Sequence, residues 1–251
     1  MSVRFESRGH GPDIVLLHGW GVGTAPYAAL AAELARAARV HVVHLPGYGG
    51  SAELACSDVN ALADTIAAAA PPRATVAGWS LGGQVALAWA LRRPAQVGRL
   101  VLLATTPRFV RGDGWEHGVD EAVLDGFDRG IAGDAPALLA RFHGLVARGD
   151  AAERSVRRSL AARELPAAKA TLAAGIELLR TTDLRAGLPQ IAQPALVIHG
   201  ERDAVIPCAA GAALAAALPA GEWWPVADAG HAPFLGREAV VAARMLEFPD
   251  G

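Results

Sequence analysis

The chain has 251 residues, enough for one α/β domain with an inserted subdomain, and 52% of them are hydrophobic, so a large core can form. Its formal net charge of −2 at neutral pH argues against non-specific binding to nucleic acid. No apolar run approaches the roughly 20 residues of a membrane span, and no signal-peptide pattern precedes the first apolar run, so we expect no membrane partner.

Short apolar runs and helical patterns alternate along the first hundred residues. The continuous apolar run at 14–17 is typical of a strand that is buried on both faces. Strands that alternate with helices predict a mostly parallel central sheet flanked by helices. The predicted elements are a strand at 3–6, a strand at 14–17, a helix at 27–38, a strand at 40–45, a helix at 59–70, a strand at 74–77, a helix at 81–92 and a strand at 100–103.

From about Pro107 to Leu184 the sequence has no convincing strand pattern. The segment predicts helices with breaks at Gly112, Gly133, Gly149 and Pro166. A helical block between two strands predicts an inserted lid, so we expect a core at 1–106 and 186–251 and a lid at 107–185. The core resumes with a strand at 195–199, a helix at 209–218, a strand at 222–226 and a helix at 237–247.

A serine stands in the turn between the strand at 74–77 and the helix that follows it. The run Gly78-Trp79-Ser80-Leu81-Gly82 matches Gly-x-Ser-x-Gly, the nucleophile elbow of the α/β-hydrolase fold. A serine displayed on such a turn has a strained backbone, and side chains two residues away on either side would collide. A pattern this short also occurs by chance in unrelated proteins. Here the apolar run before it and the helix after it favour a nucleophile at Ser80.

A serine nucleophile needs a base, and the base needs a partner that selects its tautomer. His231 follows the last predicted strand and Asp203 follows the strand before it, so parallel-sheet geometry brings both to the edge that carries Ser80. The order Ser80, Asp203, His231 is that of α/β hydrolases. Glu201 and Asp228 are alternative acids, and the other histidines fit structural roles or loops, apart from one in the lid.

An oxyanion hole requires two N–H donors aimed at the developing negative charge. The N–H of Leu81, directly after the nucleophile, is one candidate, and the N–H of Trp20, in the loop after the first buried strand, is the other. The histidines lack metal-ligand spacing and no dinucleotide-binding motif is present, so no metal or cofactor is predicted. Cys56 and Cys208 also lack such spacing, and we expect two reduced thiols in a cytoplasmic protein.

Several sequence stretches together narrow the choice among hydrolase families. The core motifs lie at 16–21 (LLHGWG), 45–49 (LPGYG), 78–83 (GWSLGG) and 230–234 (GHAPF), and the first three alone would suit many α/β hydrolases. Two lid stretches, Arg141-Phe142 and 175–185 (GIELLRTTDLR), add to them. With the lid included, the chain resembles the BioH family, the pimeloyl-[acyl-carrier protein] methyl ester esterases of biotin synthesis. The resemblance is weakest between about 108 and 140.

The resemblance implies a serine carboxylesterase without a cofactor that hydrolyses the ω-methyl ester of pimeloyl-[acyl-carrier protein] and releases methanol. Ser80 would form the acyl-enzyme, His231 would move the protons and Asp203 would orient His231. Family members also cleave small esters, and we expect a monomer. The substrate contacts that the resemblance implies are Trp20, Ser80, Leu81, Phe142, His143, Gly144, Leu145, Val146 and His231.

A basic segment in the predicted lid fits an acidic carrier protein. Between 141 and 169 the chain has seven basic and three acidic side chains, a net charge of +4 against −2 for the whole chain. The resemblance places carrier contacts on Arg141, Arg154 and Arg158. The alternative is a solvated, arginine-rich helix face without a partner.

Two other functions are compatible with these motifs. A general short-chain carboxylesterase or a hydrolase of carbon–carbon bonds would use the same triad, so the elbow cannot separate them. A noncatalytic binding protein with the hydrolase fold would be expected to lack a triad member, and all three are present.

Overall fold

A seven-stranded sheet runs through the centre of the protein in the computed structural model, which describes residues 2–53, 55, 58–161 and 167–249. The strand order is β1-β3-β2-β4-β5-β6-β7; β1 is antiparallel to β3 and every other pair is parallel. This confirms the predicted fold class. The strands are β1 (Arg4–Gly9), β2 (Asp13–Leu17), β3 (Arg39–His44), β4 (Ala74–Trp79), β5 (Val97–Leu103), β6 (Ala195–Gly200) and β7 (Gly221–Val226).

Helices cover the sheet and make up much of the segment between β5 and β6, but residues 107–120, where helices were also predicted, form turns and isolated β-bridges. Every residue of β4, β5 and β6 is buried, as expected for parallel strands with both faces covered. None of the described helices is both long and apolar enough to cross a membrane. The helices are α1 (Ala28–Leu34), α2 (Val59–Ala67), α3 (Leu81–Arg92), α4 (Glu121–Ala147), α5 (Glu153–Leu160), α6 (Lys169–Thr181), α7 (Cys208–Ala217) and α8 (Glu238–Glu247).

The first helix is shorter than the predicted span of 27–38. It ends at Leu34, and the next four residues form turns that bring the chain back to the sheet. The N–H of Arg39 donates to the carbonyl of Pro12, which starts the pairing of β3 with β2. Gly9, with φ of +77°, lies so close to this turn that a Cβ would collide with the carbonyl of Ala38. Sheet pairing therefore ends the helix early, although its alanine-rich sequence could continue.

The break that was predicted at Gly133 lies one residue later. Asp134 has non-helical φ and ψ of −126° and 86° inside α4. Its Oδ1 accepts a hydrogen bond from the N–H of Ala137, and Pro136 has no N–H to lose. The second half of α4 thus begins as a new capped helix, and the kink lies where the sequence provides a cap.

Three helices dominate the segment between β5 and β6, where no strand pattern was predicted. α4 packs against both α5 and α6. Arg180 of α6 forms ion pairs with Glu121, Asp125 and Asp128 of α4, which join the two helices at their exposed edge. The predicted break at Pro166 lies outside the described residues. We propose that residues 107–185 form a lid over the remaining core.

Candidate active site

The turn between β4 and α3 holds Ser80 in a conformation that few non-glycine residues adopt. Its φ and ψ are 55° and −119°, and the residue is 7% exposed. A Cβ on Gly78 would collide with the carbonyl of Gly82, and a Cβ on Gly82 would collide with the carbonyl of Leu17. The two glycines are therefore required by close backbone approach, once within the elbow and once against β2.

Asp203 and His231 lie together beside the elbow strand. The Nδ1 of His231 is 2.7 Å from Oδ2 of Asp203, and both side chains are almost completely buried. Because an ionised carboxylate can only accept, Nδ1 carries the proton and Nε2 presents a lone pair. Among the described residues, this buried Nε2 has no hydrogen-bond partner. A base in this tautomer is ready to take a proton from a hydroxyl group.

The carboxylate of Asp203 is held on both oxygens. Oδ1 accepts hydrogen bonds from the N–H groups of Val205 (2.7 Å) and Ile206 (2.9 Å). Burial by itself would raise the pKa of Asp203, but the charge of His231 and the hydrogen bonds from His199 and His231 outweigh it, so the pKa lies below its ordinary value. Asp203 is therefore ionised at neutral pH and can stabilise a protonated His231.

A second histidine, His199, reaches the same carboxylate. Its Nε2 is 3.0 Å from Oδ2 of Asp203 and 3.0 Å from the carbonyl oxygen of Ile206. Since both neighbours are acceptors, Nε2 carries the proton. The sequence indicated a structural role for His199 but not this contact, which depends on how the 200–206 turn folds back on β6.

The candidate oxyanion donors lie on two elements that meet at Ser80. Leu81 begins α3, so its N–H belongs to the first turn, whose N–H groups have no acceptor within the helix. The loop after β2 approaches from the other side, where a Cβ on Gly19 would lie 3.2 Å from Cβ of Ser80. Trp20 follows Gly19 and is 2% exposed. Both predicted donors therefore belong to backbone that surrounds Ser80.

Contacts from the helices between β5 and β6 hold Trp20. Its Nε1 donates to the carbonyl of Leu172 in α6 at 2.8 Å. Its ring packs edge-on against Phe127 and Phe142 of α4, with centroids 5.3 Å and 5.0 Å away. A Cβ on Gly175 would collide with the indole, so α6 can approach only with glycine there.

His18 fixes the start of the loop after β2 through two hydrogen bonds of its ring. Its Nδ1 donates to the carbonyl of Gly19 at 2.8 Å, and its Nε2 accepts from the N–H of Leu45 at 3.3 Å. The side chain is completely buried, and burial lowers the pKa of His18 from 6.5 to about 4. The neutral ring is therefore the form that fits between β2 and β3.

We expect acid to destabilise the protein through His18. The unfolded chain binds the proton near pH 6.5 and the folded chain only near 4, so the stabilisation is complete above pH 6.5 and declines as pH falls toward 4. The loss is about 3 kcal/mol, at about 1.4 kcal/mol per pKa unit. Denaturant titrations across this range measure it. His18→Asn, which can still donate to Gly19, should lack this part of the decline.

The exposed His10→Asn variant is the control for this measurement and should follow the wild type. Equal pH dependence in the wild type and His18→Asn would contradict the assignment.

A cavity of about 200 Å³ lies directly over Ser80 and is almost entirely apolar. Of the predicted lid contacts, Phe142 and Leu145 line it. The structure places other predicted contacts differently: His143 is 3.2 Å through Nε2 from the carbonyl oxygen of Gly21. The described lining is Trp20, Ser80, Phe109, Val119, Val123, Leu124, Phe127, Phe142, Leu145, Ile176, Leu179, Ala204 and Val205.

Val146 has a contact that the sequence did not indicate. Its carbonyl accepts the backbone N–H of His231 at 3.1 Å, and it is not among the described lining residues of the cavity. Gly144 is not among them either. A second cavity of about 300 Å³ lies beside Leu81, against α6 and the 45–48 loop.

The arginines that were predicted to contact the carrier protein are exposed and lie on α4 and α5. Arg141, Arg154 and Arg158 form no ion pair with another described residue. Of the acids counted in this segment, Asp150 is buried and paired with Arg237, so it does not offset the charge of the exposed surface. Arg163 and Glu164 lie outside the described residues.

Comparison with known proteins gives a matching family model and individual relatives of similar sequence. A family model described as the alpha/beta hydrolase fold matches residues 12–238. A pimeloyl-[acyl-carrier protein] methyl ester esterase from Nitrosomonas europaea is 40% identical over 238 residues, covering 93% of this chain and 94% of the relative. A protein of the same name from Xanthomonas oryzae pv. oryzae is 43% identical over 248 residues, covering 96% of each.

Solved structures share the fold. An esterase from Exiguobacterium antarcticum superposes with a TM-score of 0.87 at 24% identity, over 98% of this chain and 94% of that one. An enol-lactonase from Burkholderia xenovorans superposes with a TM-score of 0.79 at 23% identity, over 98% and 95%. At these identities the structures support the architecture, whereas the sequence relatives support the family.

Proposed function

The chain belongs to the α/β-hydrolase family and, within it, to the pimeloyl-[acyl-carrier protein] methyl ester esterases, and from this membership we propose that it hydrolyses the methyl ester of pimeloyl-[acyl-carrier protein]. The products are methanol and the free ω-carboxylate that biotin synthesis requires. The observation that carries the proposal is identity of about 40% with relatives of that name over more than nine-tenths of the chain. The chain is thus a carboxylic ester hydrolase.

The first half of the reaction uses Ser80 and His231. Oγ of Ser80 attacks the ester carbonyl while Nε2 of His231 accepts its proton. Asp203, ionised and bound to Nδ1, stabilises the imidazolium that forms. The backbone N–H groups of Leu81 and Trp20 stabilise the oxyanion, and each such donor typically contributes about 10²–10³ in rate. His231 then protonates the departing methoxide, and pimeloyl remains esterified to Ser80.

The second half reverses the same proton transfers. Water enters where methanol left, His231 takes a proton from it, and the hydroxide attacks the acyl-enzyme carbonyl. Collapse of the tetrahedral intermediate returns the proton to Oγ of Ser80 and frees the carboxylate. No group outside the triad and the oxyanion donors is required for either half.

The cavity over Ser80 suits the acyl chain. The lining is apolar, as a polymethylene chain requires, and a charged ω-carboxylate would be poorly solvated there. This favours entry of the neutral methyl ester and release of the ionised product.

The carrier protein binds the exposed arginines Arg141, Arg154 and Arg158. Arg154 and Arg158 are one helical turn apart on α5 and lie on one face of that helix. Unpaired exposed guanidinium groups attract an acidic partner over a range of about 8 Å at physiological salt, and they raise the association rate more than they tighten the final complex.

One comparison tests the substrate and the partner together. We expect wild-type kcat/KM to be highest for the carrier-linked methyl ester and lower for p-nitrophenyl acetate and a ring-cleavage dienoate. In Arg154→Glu/Arg158→Glu, kcat/KM for the carrier-linked ester should fall about 10- to 100-fold, because association slows, and the loss should shrink at high salt. Steady-state rates measure kcat/KM for each substrate, and stopped-flow measures the association rate of the carrier-linked ester.

The same variant assayed with p-nitrophenyl acetate is the internal control and should match the wild type. Arg36→Glu, an exposed charge reversal in the turn after α1, should leave both rates unchanged. Faster turnover of the dienoate or of the free ester than of the carrier-linked ester would replace the proposed substrate. An unchanged rate of the double variant on the carrier-linked ester would remove the arginines from the partner surface.

A further inference from the structure

A buried carboxylate lies next to the candidate base, and the proposed mechanism does not use it. Asp150 follows the end of α4, after Gly149, which has φ of +84°. The side chain of Asp150 is 1% exposed. A buried charge is costly unless it is paired and hydrogen-bonded, so its partners indicate what it holds in place.

Two partners of the Asp150 side chain, Gly230 and Arg237, lie on the chain around His231. Its Oδ2 accepts from the N–H of Gly230 at 3.2 Å and from Nη1 of Arg237 at 2.9 Å. Its Oδ1 accepts from the N–H of Ala152 at 2.7 Å. Gly230 directly precedes His231, so the carboxylate holds the peptide that leads into the base.

Arg237 extends this contact to the other end of the same turn. Its Nη2 donates to the carbonyl of Asp228 at 2.9 Å, and the N–H of Ala151 donates to the same carbonyl at 2.9 Å. Asp228 itself has φ of +55°, an uncommon conformation that these two donors stabilise. The turn at 228–230 is thus fixed at both ends by Asp150, its neighbour and its ion-pair partner.

The backbone of His231 is held from two further directions. Its N–H donates to the carbonyl of Val146 at 3.1 Å, and its carbonyl accepts from Nε1 of Trp79 at 2.7 Å. A Cβ on Gly230 would lie 2.9 Å from the carbonyl oxygen of Arg148, so the turn and the end of α4 are in close contact. Movement of either segment would shift the imidazole relative to Ser80.

We propose that Asp150, through its ion pair with Arg237 and its hydrogen bond to Gly230, is a positioning residue for His231. It touches neither substrate nor the reacting atoms. It sets the position of the peptide before the base, whereas Asp203 sets the tautomer and the rotation of the ring. The proposal rests on the proposed function only in taking His231 as the base of the site.

The test uses Asp150→Asn, which keeps the size of the side chain and removes its charge. Misplacement of a catalytic group by about 1 Å can cost about 10²-fold in rate, so we expect kcat for p-nitrophenyl acetate to fall about 10- to 100-fold while KM changes less than about 2-fold. The second-order rate of Ser80 labelling by a fluorophosphonate should fall in parallel. Both are measured well below the Tm of each variant.

A matched control separates positioning from stability. Asp64→Asn removes a carboxylate that pairs with Arg92 and Arg93 on the surface, and it should keep kcat even where its Tm is lowered. Arg237→Lys keeps the charge opposite Asp150 but cannot make all the contacts of the guanidinium, and its kcat should lie between those of the wild type and Asp150→Asn.

Two results would overturn the proposal. One is a folded Asp150→Asn whose kcat and labelling rate stay within about 2-fold of the wild type. If Asp150→Asn does not fold, Arg237→Lys decides, and an unchanged kcat and labelling rate in that variant overturn the proposal. Because neither assay uses the carrier-linked ester, failure of the wild type on that ester would count against the proposed function alone.

Discussion

Replacing Ser80 by alanine is expected to lower kcat for every ester substrate by about 10⁶-fold, the loss seen when the nucleophile of a serine hydrolase is removed. The physical reason is that Oγ of Ser80 is the atom that forms the acyl-enzyme, and water held in the same place lacks that covalent step. Binding should persist, because the 200 Å³ cavity is lined mainly by apolar side chains that the substitution leaves in place. Steady-state assays and mass spectrometry of fluorophosphonate-treated protein measure the loss.

Ser159→Ala is the matched control, since Ser159 is a hydroxyl on α5 that bonds only the carbonyl of Ser155 among the described residues. It should keep full activity. In a strain that cannot make the free acid of the pimeloyl ester, the wild-type chain should restore growth without biotin and Ser80→Ala should not. A Ser80→Ala variant that retained more than about 1% of wild-type kcat would show that another residue is the nucleophile.

Replacing Asp203 by asparagine is the second large effect, with an expected fall in kcat of about 10⁴-fold, the size that loss of the triad carboxylate has in a serine protease. Oδ1 of Asp203 accepts from the N–H groups of Val205 and Ile206, so an asparagine must keep its oxygen there. Its amide nitrogen then faces Nδ1 of His231 and donates to it. That forces the proton of His231 onto Nε2, where it cannot accept the proton of serine.

The same substitution also places the amide nitrogen against Nε2–H of His199, so two donors oppose each other and stability should fall. Kinetics on p-nitrophenyl acetate, with folding checked by circular dichroism, measure the effect. Glu201→Gln is the control, because Glu201 is an exposed acid two residues away that the sequence also offered as a candidate. A larger loss in Glu201→Gln than in Asp203→Asn would contradict the assignment.

Sequence spacing alone does not separate Asp203 from the other two acids that could pair with His231. The position after a parallel strand made Asp203, Glu201 and Asp228 reasonable partners for His231. The structure brings only Asp203 within hydrogen-bond distance of Nδ1, because two N–H groups of its own turn orient the carboxylate inward, whereas Asp228 pairs with Arg202 at the surface. That selection depends on side-chain direction, which spacing does not contain. Its catalytic role stays a prediction.

The contacts of the segment between β5 and β6 were harder to predict than its helical character. Phe142 and Leu145 line the cavity, but His143 binds the carbonyl of Gly21 and Val146 holds the backbone of His231. A run of neighbouring residues on a helix points in different directions, about 100° apart, so it cannot all face one ligand. The charge count of the 141–169 segment includes Asp150, and the sequence does not show that this acid is buried, because its partner Arg237 lies 87 residues away in the chain.

The sequence by itself determined the strand–helix alternation, the elbow around Ser80 and the family, because these depend on local backbone chemistry, apolar periodicity and short motifs. Only the tertiary structure decided that Gly82 is needed against Leu17, that His199 joins Asp203, and that the end of α4 holds the turn before His231. Each of these is a contact between groups whose approach is set by packing. Such distances follow from how the sheet and helices assemble, and no local pattern encodes them.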